Sequence, residues 1–237
     1  MRVLDLFAGL EGWSAPWRQR GHDAITVDND PRFGSTITHD LLDPDGLVAA
    51  LGAWRPDVVL ASPPCEAFSA MTIGRNWTRD AFGRPAPKTE KARIGMALVE
   101  ATLRLVRELG PAYWIVENPR AMARTLASLS PLERRTVTYC QFGERTQKPT
   151  DLWGAFPPSL VLAPPCQQGA ECHVRAPRGS RTGIQGSMGT GLGINSRELA
   201  AIRAKVPERL SLAVCLAAEA DLAAGLAPVP ATLWALA

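Results

Sequence analysis

The sequence has no long apolar run, little net charge, no tandem repeat and no paired spacing of cysteines, and each absence removes a class of protein. Nothing in the 237 residues approaches the ~18 consecutive apolar residues of a membrane span, so membrane insertion is not expected. The formal charge is only +3, which leaves nucleic-acid binding to be argued from where the charges lie rather than from their sum. The five cysteines are odd in number and lack disulfide-like spacing, which favours a reducing compartment. Met1-Arg2 runs directly into a buried-strand pattern and leaves no room for a cleavable signal, so a cytoplasmic protein is expected.

What is present is enough apolar material, 46% of residues, to bury one substantial core. Val3 to Phe7, followed by Ala8-Gly9, reads as a buried strand ending in a tight turn, and Trp13 to Arg20 as the helix after it. Further strands are expected at Ala24 to Val27, Val58 to Ala61, Ala112 to Val116 and Thr136 to Phe142. Helices are expected within Leu41 to Leu51, over Arg93 to Leu109 and over Leu199 to Ala223. Residues 70 to 90 mix glycine and proline with arginine and tryptophan and read as a mobile loop. Strands alternating with helices predict a doubly wound, Rossmann-like α/β sheet, whose functional residues belong at the carboxyl ends of the strands. Asp5, Asp28, Cys65 and Glu117 fall at or beside those ends.

The segmentation predicts a catalytic and cofactor-binding domain over residues 1–156, a reduced recognition insertion over 157–198, and a C-terminal helix and tail over 199–237 that returns to the first domain. The insertion is loop-rich, with six glycines between Gly179 and Gly193 and too few apolar residues for a core of its own. Between Arg175 and Arg209 seven Arg or Lys face two acids, a local excess larger than the net charge of the whole chain.

Cys65 follows two prolines at a strand end, a rigid turn that would present its sulfur at the mouth of the sheet in an environment favouring thiolate. A thiolate can add to C6 of a cytosine and make C5 electron-rich if an acid at the same time serves N3, and Glu117 at another strand end is the available acid. Taken singly, Cys65 reads equally as a small buried residue and Glu117 as a helix cap.

The ordered set of segments resembles the DNA cytosine-C5 methyltransferase family. Asp5-Leu6-Phe7-Ala8-Gly9-Leu10-Glu11-Gly12 is similar to its first cofactor motif, Asp28-Asn29-Asp30-Pro31 to its acidic ribose motif, and Asp40 falls where the family places an aspartate on the adenine. Ser62-Pro63-Pro64-Cys65 resembles the nucleophile motif and Glu117-Asn118-Pro119 the acidic catalytic motif, with order and spacing agreeing over roughly residues 1 to 154. The resemblance implies S-adenosylmethionine as cofactor, double-stranded DNA as substrate, a flipped cytosine, and Cys65 and Glu117 as catalytic residues. It assigns cofactor contacts to Asp5, Phe7, Ala8, Gly9, Glu11, Gly12, Asp28, Asn29, Asp40, Pro63 and Pro64. No obligate protein partner is implied, and the compact form suits a phage or bacterial setting. Alternatives are an RNA cytosine methyltransferase, a C5-alkyltransferase using a modified donor, and an idle DNA-binding relative.

The chain departs from the pattern in three places. Glu11 replaces a glycine of the first motif; Gln147-Lys148-Pro149-Thr150-Asp151 lacks two arginines that follow the family's glutamine, leaving Arg145 or Lys148 to supply a positive contact; and Arg203 and Lys205 precede Val206-Pro207 of the final motif, where small or amide side chains are usual. Nucleic-acid contacts are expected from Ser69, Arg75, Trp77, Arg79, Arg145 and Lys148, and from Arg175, Arg178 and Arg181 in the insertion. Cys166, Cys172 and His173 cluster, and Cys140 could complete four zinc ligands, but the spacing matches no common zinc pattern and no metal site is expected.

Overall fold

The computed structural model describes residues 1–70, 72–167, 169–174 and 196–226. Strand β1 (Arg2–Leu6) leads to helix α1 (Ser14–Gln19), β2 (Asp23–Asp28), β3 (Ile37–Thr38), α2 (Pro44–Leu51) and β4 (Val58–Ala61). Next come α3 (Ile73–Asn76), β5 (Trp77–Arg79), β6 (Pro85–Pro87), α4 (Glu90–Leu109), β7 (Tyr113–Pro119), β8 (Arg134–Thr138), β9 (Pro149–Ala155), α5 (Ser196–Ala204) and α6 (Glu208–Ala223).

Seven strands form one sheet in the order β3-β2-β1-β4-β7-β9-β8. β9 pairs antiparallel with both β7 and β8, so six strands share a direction and β9 opposes them. Period-2 alternation sorts the strand residues onto two faces. Leu4, Leu6, Val59, Ala61, Trp114, Val116 and Trp153 pack beneath α4, while Val3, Val58, Leu60, Tyr113, Ile115 and Leu152 pack against Trp13, Trp17 and the apolar side of α6. Two buried layers around a sheet are the doubly wound architecture expected from the alternation of elements.

The helix ends carry the expected local chemistry. Asp43 caps α2 by accepting from the Gly46 amide at 3.0 Å, with Pro44 in the first turn. Thr89 caps α4, which stops at Gly110 in the left-handed conformation (φ 58°).

Four expectations change. Residues 77–87 form an antiparallel hairpin rather than an irregular loop, because Trp77 is buried against Phe68 with ring centroids 5.8 Å apart. The strand expected over Thr136 to Phe142 ends at Thr138, and Tyr139–Phe142 is a 3-10 turn closed by Gly143. β9, whose Pro149 and Gly154 do not read as a strand, is an interior strand of the sheet. The single C-terminal helix is two, broken at Val206-Pro207, since proline lacks the amide that would continue the helical ladder.

Candidate active site

Register places the site. Val27, Leu6, Ala61 and Val116 are paired across β2, β1, β4 and β7. The next residue of each strand, Asp28, Phe7, Ser62 and Glu117, therefore stands on one line at the carboxyl edge of the sheet. β1 and β4 are also where the chain changes direction of progress across the sheet, the point at which such sheets leave a crevice.

The turn after β1 is built to approach other backbone closely. Phe7 (φ 60°) and Gly9 (φ 48°) both take left-handed conformations, Ala8 donates its amide to Val27 O at 3.0 Å, and Gly9 donates to Asp28 Oδ2 at 3.0 Å. A β-carbon on Gly12 would lie 2.4 Å from the Val206 carbonyl oxygen, so only glycine admits the C-terminal Val206-Pro207 segment here. Glu11 takes the left-handed conformation a glycine would hold without cost (φ 55°), and its carboxylate is paired with Arg18 at 2.6 Å. Asp28 is buried and receives one backbone amide on each oxygen, Gly9 on Oδ2 and Asp30 on Oδ1. Asn29 and Asp40 are exposed, Asp40 closing its own turn by accepting from the Leu42 amide at 3.0 Å. Asp5 is buried below this turn, accepting from the Ser14 amide at 3.1 Å, and its burial pushes its carboxyl from the ordinary 3.8 up to about 7.

The turn that carries Cys65 is held from three sides. Trp13 Nε1 donates to Ser62 Oγ at 2.9 Å, Asn118 Nδ2 donates to the Pro63 carbonyl at 2.9 Å, and α4 presses on it at Gly95, where a β-carbon would meet Ala67 Cβ at 2.9 Å. Pro63 is buried, Pro64 exposed, and Cys65 half-buried at the head of a 3-10 turn, Cys65–Ala67. Glu117 is only 3% exposed and its Oε1 accepts the Tyr139 hydroxyl at 2.8 Å. Burial and the Glu117 carboxylate raise Tyr139 well above the ordinary phenol value, so that hydroxyl remains a donor.

Cys65 is not held as a thiolate. Burial first and Glu117 second push its thiol up, and Lys148 acts in the opposite direction. The environment expected to favour thiolate is not found, and the turn Cys65 heads is three residues long, too short to sum a helix dipole. Lys148 Nζ sits 4.2 Å above the Tyr139 ring and donates to the Arg203 carbonyl at 3.0 Å, which brings a positive charge to the wall beside Glu117. Arg145 is exposed.

Where the sequence lacks its second expected arginine, Asp151 is fully buried opposite Asn118 and holds the Arg124 guanidinium in a fork, Nε to Oδ2 at 2.9 Å and Nη2 to Oδ1 at 2.7 Å. Tyr139, Trp13 and Arg124 carry no mark in the sequence. The pairing of Arg124 with Asp151 spans 27 residues, and only the misfit of Asp151 in its motif hinted at it.

Of the expected DNA contacts, Arg75 and Arg79 are exposed on α3 and the hairpin, and Ser69 is half-buried with its hydroxyl 3.1 Å from that of Thr72. Trp77 is corrected: it is 6% exposed, its indole nitrogen donates to the Ala67 carbonyl at 2.7 Å, and it anchors the hairpin instead of facing solvent. Arg175, Arg178 and Arg181 lie outside the described residues. Among the described residues no helix is long and apolar enough to cross a membrane.

No family model matches the chain. A protein of frog virus 3 (isolate Goorha), described as a probable DNA (cytosine-5)-methyltransferase, is 30% identical over 172 residues, covering 70% of this chain and 78% of the viral one. The type II methyltransferase M1.HphI of Haemophilus parahaemolyticus is 28% identical over 152 residues, and there the chain spans only 37% of its relative. Among solved structures, the Entamoeba histolytica methyltransferase EhMeth aligns with a TM-score of 0.45 and 12% identity, covering 70% of this chain and 57% of its own. The extent and identity of the viral match, falling on a chain whose strand ends carry the cysteine and glutamate motifs, show that this chain belongs to the DNA (cytosine-5)-methyltransferase family.

Proposed function

We propose that the protein transfers a methyl group from S-adenosylmethionine to C5 of a flipped cytosine in double-stranded DNA through a covalent bond to Cys65. The observation that carries this reading is the tie between the two catalytic strand ends: Asn118, next to Glu117, bonds the Pro63 carbonyl, two residues before Cys65. Acid and nucleophile are thereby set on neighbouring strands beside the crevice between β1 and β4.

The residues present fit the cofactor. Asp28 spends one hydrogen bond per oxygen on backbone amides, and an ionised carboxylate accepts about four, which leaves each oxygen free for one hydroxyl of a ribose diol. The turn at Gly9 leaves bare backbone at the crevice, with half-buried Phe7 beside it for the adenosine. When bound, S-adenosylmethionine supplies the methyl group as an electrophile on its sulfonium sulfur, which an electron-rich C5 accepts.

The protein's part is to make C5 electron-rich. Cys65 releases its proton to solvent as its sulfur bonds to C6, and Glu117, having taken up a proton from solvent as the base enters, presents it to N3, so the electron pair of the C5–C6 bond becomes available at C5. Tyr139 occupies Oε1 of Glu117 and so reserves Oε2 for the base. Loss of the C5 proton to solvent then expels the Cys65 sulfur as thiolate, N3 returns its proton to Glu117, and the ring is restored. Arg75 and Arg79, together with Arg145, Lys148 and the basic segment from Arg175 to Arg181, supply phosphate contacts. Flipping the base out of the duplex lets it reach a site set into the sheet edge.

Duplex DNA containing 5-fluorocytosine tests this directly, since fluorine at C5 blocks the last elimination. A cofactor-dependent covalent adduct that disappears in Cys65→Ala is expected, and its mass reports the transferred group. Trapping on RNA with none on any DNA context would overturn the DNA assignment.

A further inference from the structure

Four side chains outside the catalytic pair converge behind it. Cys140, Cys166, Cys172 and His173 place their ligand atoms within 4.8 Å of one another. Cys140 Sγ lies 3.2 Å from Cys166 Sγ and 3.6 Å from Cys172 Sγ, and His173 Nδ1 lies 3.7 Å from Cys166 Sγ and 3.5 Å from Cys172 Sγ. A tetrahedral zinc with Zn–S bonds of about 2.3 Å and a Zn–N bond of about 2.05 Å has S–S edges of about 3.8 Å and S–N edges of about 3.6 Å. Both sulfur–nitrogen contacts and the Cys140–Cys172 pair lie close to these edges, and the Cys140–Cys166 pair is tighter.

We propose that Cys140, Cys166, Cys172 and His173, the last through Nδ1, bind a structural zinc ion. The sequence spacing gave no reason to expect it, because Cys140 reaches the other three only through the fold of the 3-10 turn after β8. Three thiol protons leave to solvent as the metal enters, and four protein ligands close the coordination sphere. Three sulfurs and one imidazole form a soft donor set that suits zinc. The surroundings also serve thiolates: Gln147 Nε2 donates to Cys166 Sγ at 3.2 Å and to the Cys166 carbonyl at 3.1 Å, while the Cys166 amide donates to Thr138 Oγ1 at 3.0 Å. By contrast, the other group of ligand types, His22, Cys215 and Glu219, has the Arg20 guanidinium bonded to both oxygens of Glu219 at 2.9 and 2.6 Å, a resident cation that repels another.

The position gives the metal its work. Cys140 follows Tyr139, whose hydroxyl holds Glu117, and Val174, next to His173, donates its amide to the Arg145 carbonyl at 2.9 Å. The zinc therefore fastens the chain entering the basic Arg175 to Arg181 segment onto the wall that carries Glu117. Its bearing on DNA recognition rests on the proposed function, but its presence does not.

Metal analysis of the full-length purified protein tests the site without any assay of activity. One zinc per chain is expected, retained in Cys65→Ala and in Cys215→Ser. Cys172→Ala should lower zinc affinity at least tenfold, Cys172→His should restore it, and Gln147→Ala should lower it by roughly tenfold. Cys172 is exposed, so its variants leave the core intact. Zinc-free protein, a different metal at full occupancy, a Cys140–Cys166 disulfide in its place, or zinc kept undiminished in Cys172→Ala would each overturn the proposal.

Discussion

Cys65 and Glu117 oppose each other electrically before any substrate arrives. Burial first and the Glu117 carboxylate second raise the Cys65 thiol, and Lys148 works against them, which favours the protonated thiol in the free protein. Alkylation of Cys65 by iodoacetamide, followed by mass analysis across pH, should therefore follow a profile displaced upward from that of an ordinary thiol (~8.5). Glu117→Gln removes the like charge and should move that profile to lower pH. Lys148→Met removes the favourable charge and should move it to higher pH. Identical profiles for the two variants would show that neither group faces the sulfur. The residue types at 65 and 117 are readable from the motifs; the state of the thiol is not, because it depends on burial and on a lysine 83 positions away that the turn before β9 brings in.

At the scale of elements, β9 decides how the wall of the site is charged. Its Asp151 is fully buried and takes the Arg124 fork, with the Thr136 hydroxyl donating to the same carboxylate at 2.7 Å. Arg124 is about one-third exposed, which screens part of the attraction but leaves the acid without solvent if the arginine is removed. Arg124→Ala should cost about 2 kcal/mol in urea denaturation, and adding Asp151→Leu should recover most of it. A single-variant loss below a few tenths of a kcal/mol would show the pair to be idle. β9 was illegible beforehand because a proline and a glycine bracket it, and an interior strand with such ends is recognised only by its partners β7 and β8. The hairpin of β5 and β6 hid for a related reason: Trp77 reads as a surface aromatic until Phe68 and Ala67 are placed beside it.

For the molecule as a whole, the buried carboxyl of Asp5 links stability to pH. Its folded value of about 7 lies above the ordinary 3.8, so between those limits the folded chain binds more protons than the unfolded one. Stability from this group is then greatest at the acid end of the window and falls as pH climbs from about 4 to about 7. Asp5→Asn keeps an acceptor for the Ser14 amide and has no carboxyl to ionise, so it should flatten this part of the profile and gain on the wild type towards pH 8. Thermal midpoints of both proteins at pH 5 and pH 8 measure the difference; a gap that does not widen with pH would show Asp5 to be charged in the folded state. The same burial has a use, since α1 and α6 close over this face through Trp17 Nε1 to Ser211 Oγ at 3.1 Å and join the two ends of the chain.

The sequence by itself determined the alternating strands and helices and the placing of the motif residues Asp28, Cys65 and Glu117 at strand ends, because period, proline turns and glycine loops act over a few residues. Tertiary structure decided what those residues can do. The protonation of Cys65, the Tyr139 support of Glu117, the arginine brought to Asp151 and the convergence of Cys140 on Cys166, Cys172 and His173 all depend on groups more than twenty residues apart, and their distances are fixed only when the sheet register and the packing of the turns around it are complete.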